Sequence, residues 1–125
     1  MGSKEILKIA NEIYPKVRDY YGEGKKNYPL IEVHRNIFAR LSGEPDMEGD
    51  DPAEAEFDRK ENKLFLYSDY VNNVEDIARG IIHEYVHFLQ SESWMRRYYK
   101  MGHTYQNHPY EIKASEEEKN WKKFM

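Results

Sequence analysis

Between Val74 and Leu89 the sequence VEDIARGIIHEYVHFL carries apolar residues at 74, 77, 78, 81, 82, 85, 86 and 89, an unbroken 3.6-residue period. Such a run folds as one amphipathic helix, and the rest of the chain must supply a surface for its apolar stripe. Asn73 and Asp76 give a capping-box-like start, so the helix is predicted over about 74–92. At about 100° per residue the apolar positions fill one arc of the wheel, and His83 and His87 fall nearly opposite its centre. The two histidines lie one turn apart and can converge on one point above the helix. Glu84 falls between them and the core edge, beside that point. Phe88 is expected near the same side, as part of a cleft wall.

This arrangement is what zinc chemistry requires. Two neutral imidazoles supply nitrogen ligands, and a third protein ligand leaves one position for water. A carboxylate beside the metal but not bound to it can take the water's proton and deliver it to a leaving amine. H-E-x-x-H on a helix is the signature of metallopeptidases, and HEYVH fits it at His83, Glu84 and His87. The competing reading is a polar helix face that happens to be spelled this way. The chain has no cysteine, which excludes thiolate zinc fingers, disulfides and thiol nucleophiles, so any metal must be held by His, Asp or Glu. One helix cannot surround a metal, and a third ligand must come from elsewhere. After His87 the chain reads FLQSESWMRR, without the glycine and third histidine of a metzincin. The candidates are His103, His108, Glu111 and Glu116.

The remaining segments give the setting. Ile6, Leu7, Ile9, Ala10, Ile13, Tyr14 and Val17 predict an amphipathic helix over about 3–20, which YGEGKKNYP breaks. LIEVHR (30–35) alternates as a half-buried strand does, with His34 on the sheet surface. LSGEPDMEGDDP (41–52) is an acidic loop. AEAEFD and KLFLYS flank RKEN as an antiparallel hairpin. WMRRYYKMGHTYQN (94–107) reads as a linker that is partly helical. In the closing HPYEIKASEEEKNWKKF, Pro109 suits a first helical turn and Asn107 or His108 its cap; Tyr110, Ala114, Trp121 and Phe124 suggest one buried side. The expectation is one α+β domain spanning 1–125, ordered helix, small mixed or antiparallel sheet, helix, helix. Net charge is −4 with scattered basic residues, which leaves no footprint for nucleic acid. No apolar run approaches a membrane span and the N-terminus is polar, so a cytoplasmic protein without membrane partners is expected.

HEYVH, followed after a short linker by HPYEIKA, resembles the gluzincins, zinc metallopeptidases whose third ligand is a glutamate on a later helix; the small size points to the minigluzincins. The resemblance covers about Ala53 to Lys119. It implies a compact zincin-like catalytic core binding one Zn²⁺ per chain through His83, His87 and Glu111, with Glu84 as general base and acid. Ala114 would be the small residue that lets the glutamate helix approach the active-site helix, and Gly80 is a second candidate for that close approach. Larger gluzincins place oxyanion-stabilising histidine and tyrosine residues on a C-terminal subdomain. Only residues 112–125 follow Glu111 here, so His103, Tyr105, His108 and Tyr110 are the candidates for oxyanion or substrate contacts, each set against ordinary packing or capping.

The expected activity is endopeptidase cleavage of a peptide or protein substrate, with AEAEF or KLFLY as the strand edge that pairs with it. The acidic stretch 44–56 is either a bias toward basic substrates or a solvated loop. Two alternatives stand beside this: a regulatory protease that cuts one specific partner, and a zinc-stabilised interaction domain without catalysis. The resemblance also implies a latent form and a homodimer. In that case the linker from Trp94 to Tyr105, or Trp121 and Phe124 of the tail, would block a cleft; otherwise those two aromatics cap their own core.

Overall fold

Ile6, Ala10, Ile13, Tyr14 and Val17 share the buried face of α1 (Ser3–Tyr21), and Ile77, Ala78, Ile81, Ile82 and Tyr85 share that of α3 (Val74–Leu89). In the computed structural model, which describes residues 1–24, 26–49 and 51–125, these two stripes meet in one core cluster with Leu64 and Leu66 of the sheet. Lys25, in the predicted helix breaker, and Asp50, in the acidic loop, lie outside the described residues. The fold is α+β, and its sheet is mixed. Strand β1 (Leu30–His34) runs parallel to β3 (Lys63–Tyr67), and β2 (Ala55–Asp58) runs antiparallel to β3, in the order β1-β3-β2. KLFLY is thus the central strand and is excluded as a pairing edge; AEFD is an edge strand, with β1 at the opposite edge.

Alternation along β3 explains its burial on both faces. Leu64 and Leu66 turn to the helices, while Phe65 and Tyr67 turn to the other side. There Arg40 of α2 (Ile37–Ser42) lies 4.2 Å over the Phe65 ring and donates to the Tyr67 hydroxyl at 2.9 Å. Helix α2 begins between the stretches read as strand (30–35) and loop (41–52) and runs two residues into the latter. Six residues are too few to display a period, but its ends are chemically marked. The Asn36 side chain accepts from the Ala39 N–H at 2.8 Å, and Gly43 leaves the helix at a left-handed φ of 73°.

Helix α3 starts as read, with Asn73 accepting from the Asp76 N–H at 2.9 Å; the Asp76 carboxylate accepts in turn from Asn72 N–H. It ends at Leu89, not 92, because Gln90 is extended and Ser91 caps a separate helix, α4 (Glu92–Lys100), within the predicted linker. Gly80 faces the sheet. A Cβ there would sit 3.2 Å from both Ala55 Cβ and Leu66 Cδ2, so this glycine seats α3 on β2 and β3, not on the last helix. Ala114 is completely buried where α5 (Pro109–Glu117) packs on α3.

The tail Glu118–Phe124 winds as a 3-10 turn against α3 and α1. Phe124 is 3% exposed, packed edge-on to Tyr20, and Trp121 lies against the same core. Of the two courses open to the tail, capping its own core is the one observed. Among the described residues, no helix is long and apolar enough to cross a membrane. Truncating a fully packed phenylalanine removes its burial and leaves a cavity. Phe124→Ala is therefore expected to lower unfolding free energy by about 3 kcal/mol in urea titrations; a loss well below 1 kcal/mol would mean the tail is no part of the core.

Candidate metal centre

Because the apolar stripe of α3 is committed to α1 and the sheet, His83 and His87 emerge on the side where α5 crosses. Glu111, in the first turn of α5, reaches both. Its Oε2 lies 3.0 Å from His83 Nε2, its Oε1 lies 3.0 Å from His87 Nε2, and the two Nε2 atoms are 3.2 Å apart. Tetrahedral ligands at about 2.0–2.1 Å from one zinc ion are separated by about 3.3 Å. Three ligand atoms at nearly that spacing fit a single metal ion. Among the described residues this is the group of three whose ligand atoms converge.

The far nitrogen of each ring is held. Gln90 donates its amide N–H to the Tyr110 carbonyl at 3.1 Å, which turns its amide oxygen toward His87 Nδ1 at 2.7 Å. Nδ1 must then carry the proton, leaving the Nε2 lone pair facing the shared point. Glu118 performs the same service for His83, with Oε2 at 2.8 Å from Nδ1. Arg79 stands 4.0 Å from the other oxygen of Glu118 and holds Glu75 at 2.8 Å. Carboxylate and amide partners of this kind set the tautomer and orientation of metal-binding histidines.

The electrostatics point the same way. Burial disfavours a charged His83, yet hydrogen bonds to Glu111 and Glu118 outweigh it and push the imidazole up to about 10. Burial opposes ionisation of Glu111 too, but the two histidines hold its carboxyl down at about 2. A metal ion bound at this point would have to displace the proton shared between the imidazoles and the carboxylate.

Glu84 is outside the triad. Its carboxyl is pushed up, chiefly by burial and despite the charges of His87 and His83. It borders a cavity of about 430 Å³ together with His87, Glu111, Tyr99 and Tyr105. Burial, then the charges of Glu111 and Glu84, push the Tyr105 hydroxyl up to about 12, so it stays a proton donor at neutral pH.

Of the other residues singled out from the sequence, His108 is fully buried as the cap of α5. Its Nδ1 accepts from Tyr110 N–H and its Nε2 faces the Met95 carbonyl, each at 3.0 Å. His103 and Tyr110 pack with His108 around Tyr98, away from the cavity lining. Glu116 is exposed, outside the cluster. Phe88 is buried against Phe57 and Tyr85; it closes the core and lines no part of the cavity beside the triad. His34 sits on the sheet surface and bonds Glu32 at 3.1 Å, as read.

Four residues at the site went unread: Gln90, Glu118, Tyr99 and Arg59. Gln90 lies three residues beyond His87, and Glu118 two helical turns beyond Glu111, so a same-face search from the ligands would have found both. Comparison of the chain with family models, curated proteins and solved structures yields no match.

The hydrogen bonds to the rings carry a direct expectation. Glu118→Ala should weaken metal binding about 10- to 100-fold in chelator-competition titrations. Glu116→Ala, one helix face away, should leave it unchanged. Equal effects of the two substitutions would remove Glu118 from the site.

Proposed function

We propose that this chain is a zinc-dependent endopeptidase in which Glu84 is the general base and acid. The observation that carries the reading is the placement of Glu84: next to three converging ligands, not one of them, and on the same cavity. His83, His87 and Glu111 would hold the zinc, and the donor set of two imidazoles and one carboxylate is the one used by hydrolytic zinc sites. A structural zinc site takes four protein ligands; among the described residues three converge, and Glu118 is engaged with the far nitrogen of His83. That favours a catalytic over a purely structural role.

When bound, zinc supplies Lewis acidity toward water and a peptide carbonyl. The protein's own groups handle the proton. Glu84, on the cavity beside the ligands, takes the proton of the attacking water and returns it to the amine that leaves. Burial of its carboxyl favours the protonated state that the second transfer requires. Tyr105 is the group placed to donate to the developing oxyanion, since it borders the cavity and keeps its proton.

The substrate's place follows from the sheet. Tyr67 N–H donates to the Glu54 carbonyl, so the backbone groups of residues 54, 56 and 58 point to β3 and those of Ala55 and Phe57 point to the free edge beside the cavity. An extended peptide added to that edge would lie across Glu84.

Glu84→Gln keeps the shape of the site and removes the base. It should retain one zinc per chain by metal analysis and lose at least about a thousandfold in turnover of a denatured-protein substrate. Wild-type-like hydrolysis by this variant would refute the role, and loss of zinc would place Glu84 among the ligands.

A further inference from the structure

Arg59, the first residue after β2, is half-buried and, among the described residues, forms no ion pair. Its Nη2 donates to the carbonyls of His87 at 2.7 Å and Gln90 at 3.1 Å, the open C-terminal end of α3. Both bonds use one nitrogen, which leaves Nη1 and Nε. Other cations are differently placed: Arg40, equally sheltered, faces Glu56, Asp58 and Glu61, and Arg35 holds Asp69. The carboxylate whose charge reaches Arg59 is Glu92, which is paired with Arg96 at 3.5 Å. The carbonyl end of α3 and the Phe57 ring, 5.3 Å from its Cζ, compensate this charge in part, and its remaining N–H groups can take an anionic partner.

Its position says what could. Arg59 borders the cavity of Glu84 and Glu111, and it also borders a second cavity of about 600 Å³ that runs past Lys26, Ser91, Ser93 and Arg96. It stands where the two meet.

We propose that Arg59 is a specificity-determining residue that receives an acidic side chain of the substrate, two residues N-terminal to the bond that is cut. This rests on the peptidase reading above. The position follows from the strand edge. Phe57 and Glu84 line the same cavity, so the reacting bond is taken to lie level with Phe57. Antiparallel pairing is somewhat more stable per residue than parallel, and an antiparallel partner moves toward its own N-terminus as β2 proceeds from Phe57 to Arg59. Two residues of strand cover about 7 Å. A Glu or Asp there meets the free Nη1 and Nε of a guanidinium already anchored by two carbonyls.

The test uses two extended peptides identical except for Glu or Gln at that position. Binding to the zinc-loaded Glu84→Gln protein is measured by calorimetry, and cleavage by the unaltered protein is followed in parallel. The Glu peptide should bind about tenfold tighter. The ratio should fall to about one in Arg59→Gln, survive in part in Arg59→Lys, and stand in Arg96→Gln. Equal binding of the two peptides, or a ratio that persists in Arg59→Gln, would overturn the proposal. Should Arg59→Gln fail to fold by circular dichroism, salt decides: the ratio in the protein with Arg59 intact should shrink at about 0.5 M salt, and an unchanged ratio counts against the arginine. A peptide bound with preference but never cut would remove the peptidase reading and keep the acidic subsite. A peptide cut without preference would do the reverse.

Discussion

Everything at this site depends on a concentration of unshared electron pairs. Two imidazole nitrogens and a carboxylate stand 3.0–3.2 Å apart, close to the spacing of ligand atoms around one zinc ion. The fold spends much of its secondary structure on enforcing it. Helix α3 is fixed by its apolar stripe, Gly80 lets it sit directly on the sheet, and Ala114 lets α5 come down on its other side. Glu118 and Gln90 then prevent the rings from turning away. The same geometry fits one divalent ion.

A second constraint shapes the chemistry around it. Glu84 and Phe57 line one cavity, so under the proposed function the sheet edge that would receive a peptide lies beside the proposed base. Edge, base and ligands are thus set by contacts between α3 and β2. Arg59 extends the linkage, since it ends β2 and closes the carbonyl end of α3 at once. The cleft is built from one helix–strand contact, with α5 delivering the last ligand.

How much of this could be read beforehand depends on whether a periodicity carried it. The span and facing of α1 and α3 were legible because their apolar positions recur over four turns or more. The hairpin was legible from its alternation, but the parallel partner of β3 was not, since chain order says nothing of strand order. Helix α2 escaped because six residues show no period; only Asn36 and Gly43 marked it. His83, Glu84 and His87 stood out as a motif, whereas Glu111 was one of several candidates until resemblance singled it out. Phe88 packs on Phe57 and Tyr85 at the boundary between the faces of α3 and lines the second cavity, not the one beside the triad. The hydrogen-bond partners of the rings left no motif, since any carboxylate or amide at the right height serves.

The most direct test is X-ray absorption at the zinc edge on protein loaded with one equivalent of zinc. The expected spectrum is four-coordinate, with two imidazole nitrogens at about 2.0–2.1 Å, one carboxylate oxygen and one oxygen from water. Such a shell is an open site with the fourth position available for chemistry. A shell made of four protein ligands, or zinc that fails to bind stoichiometrically, would contradict an open three-ligand centre at His83, His87 and Glu111.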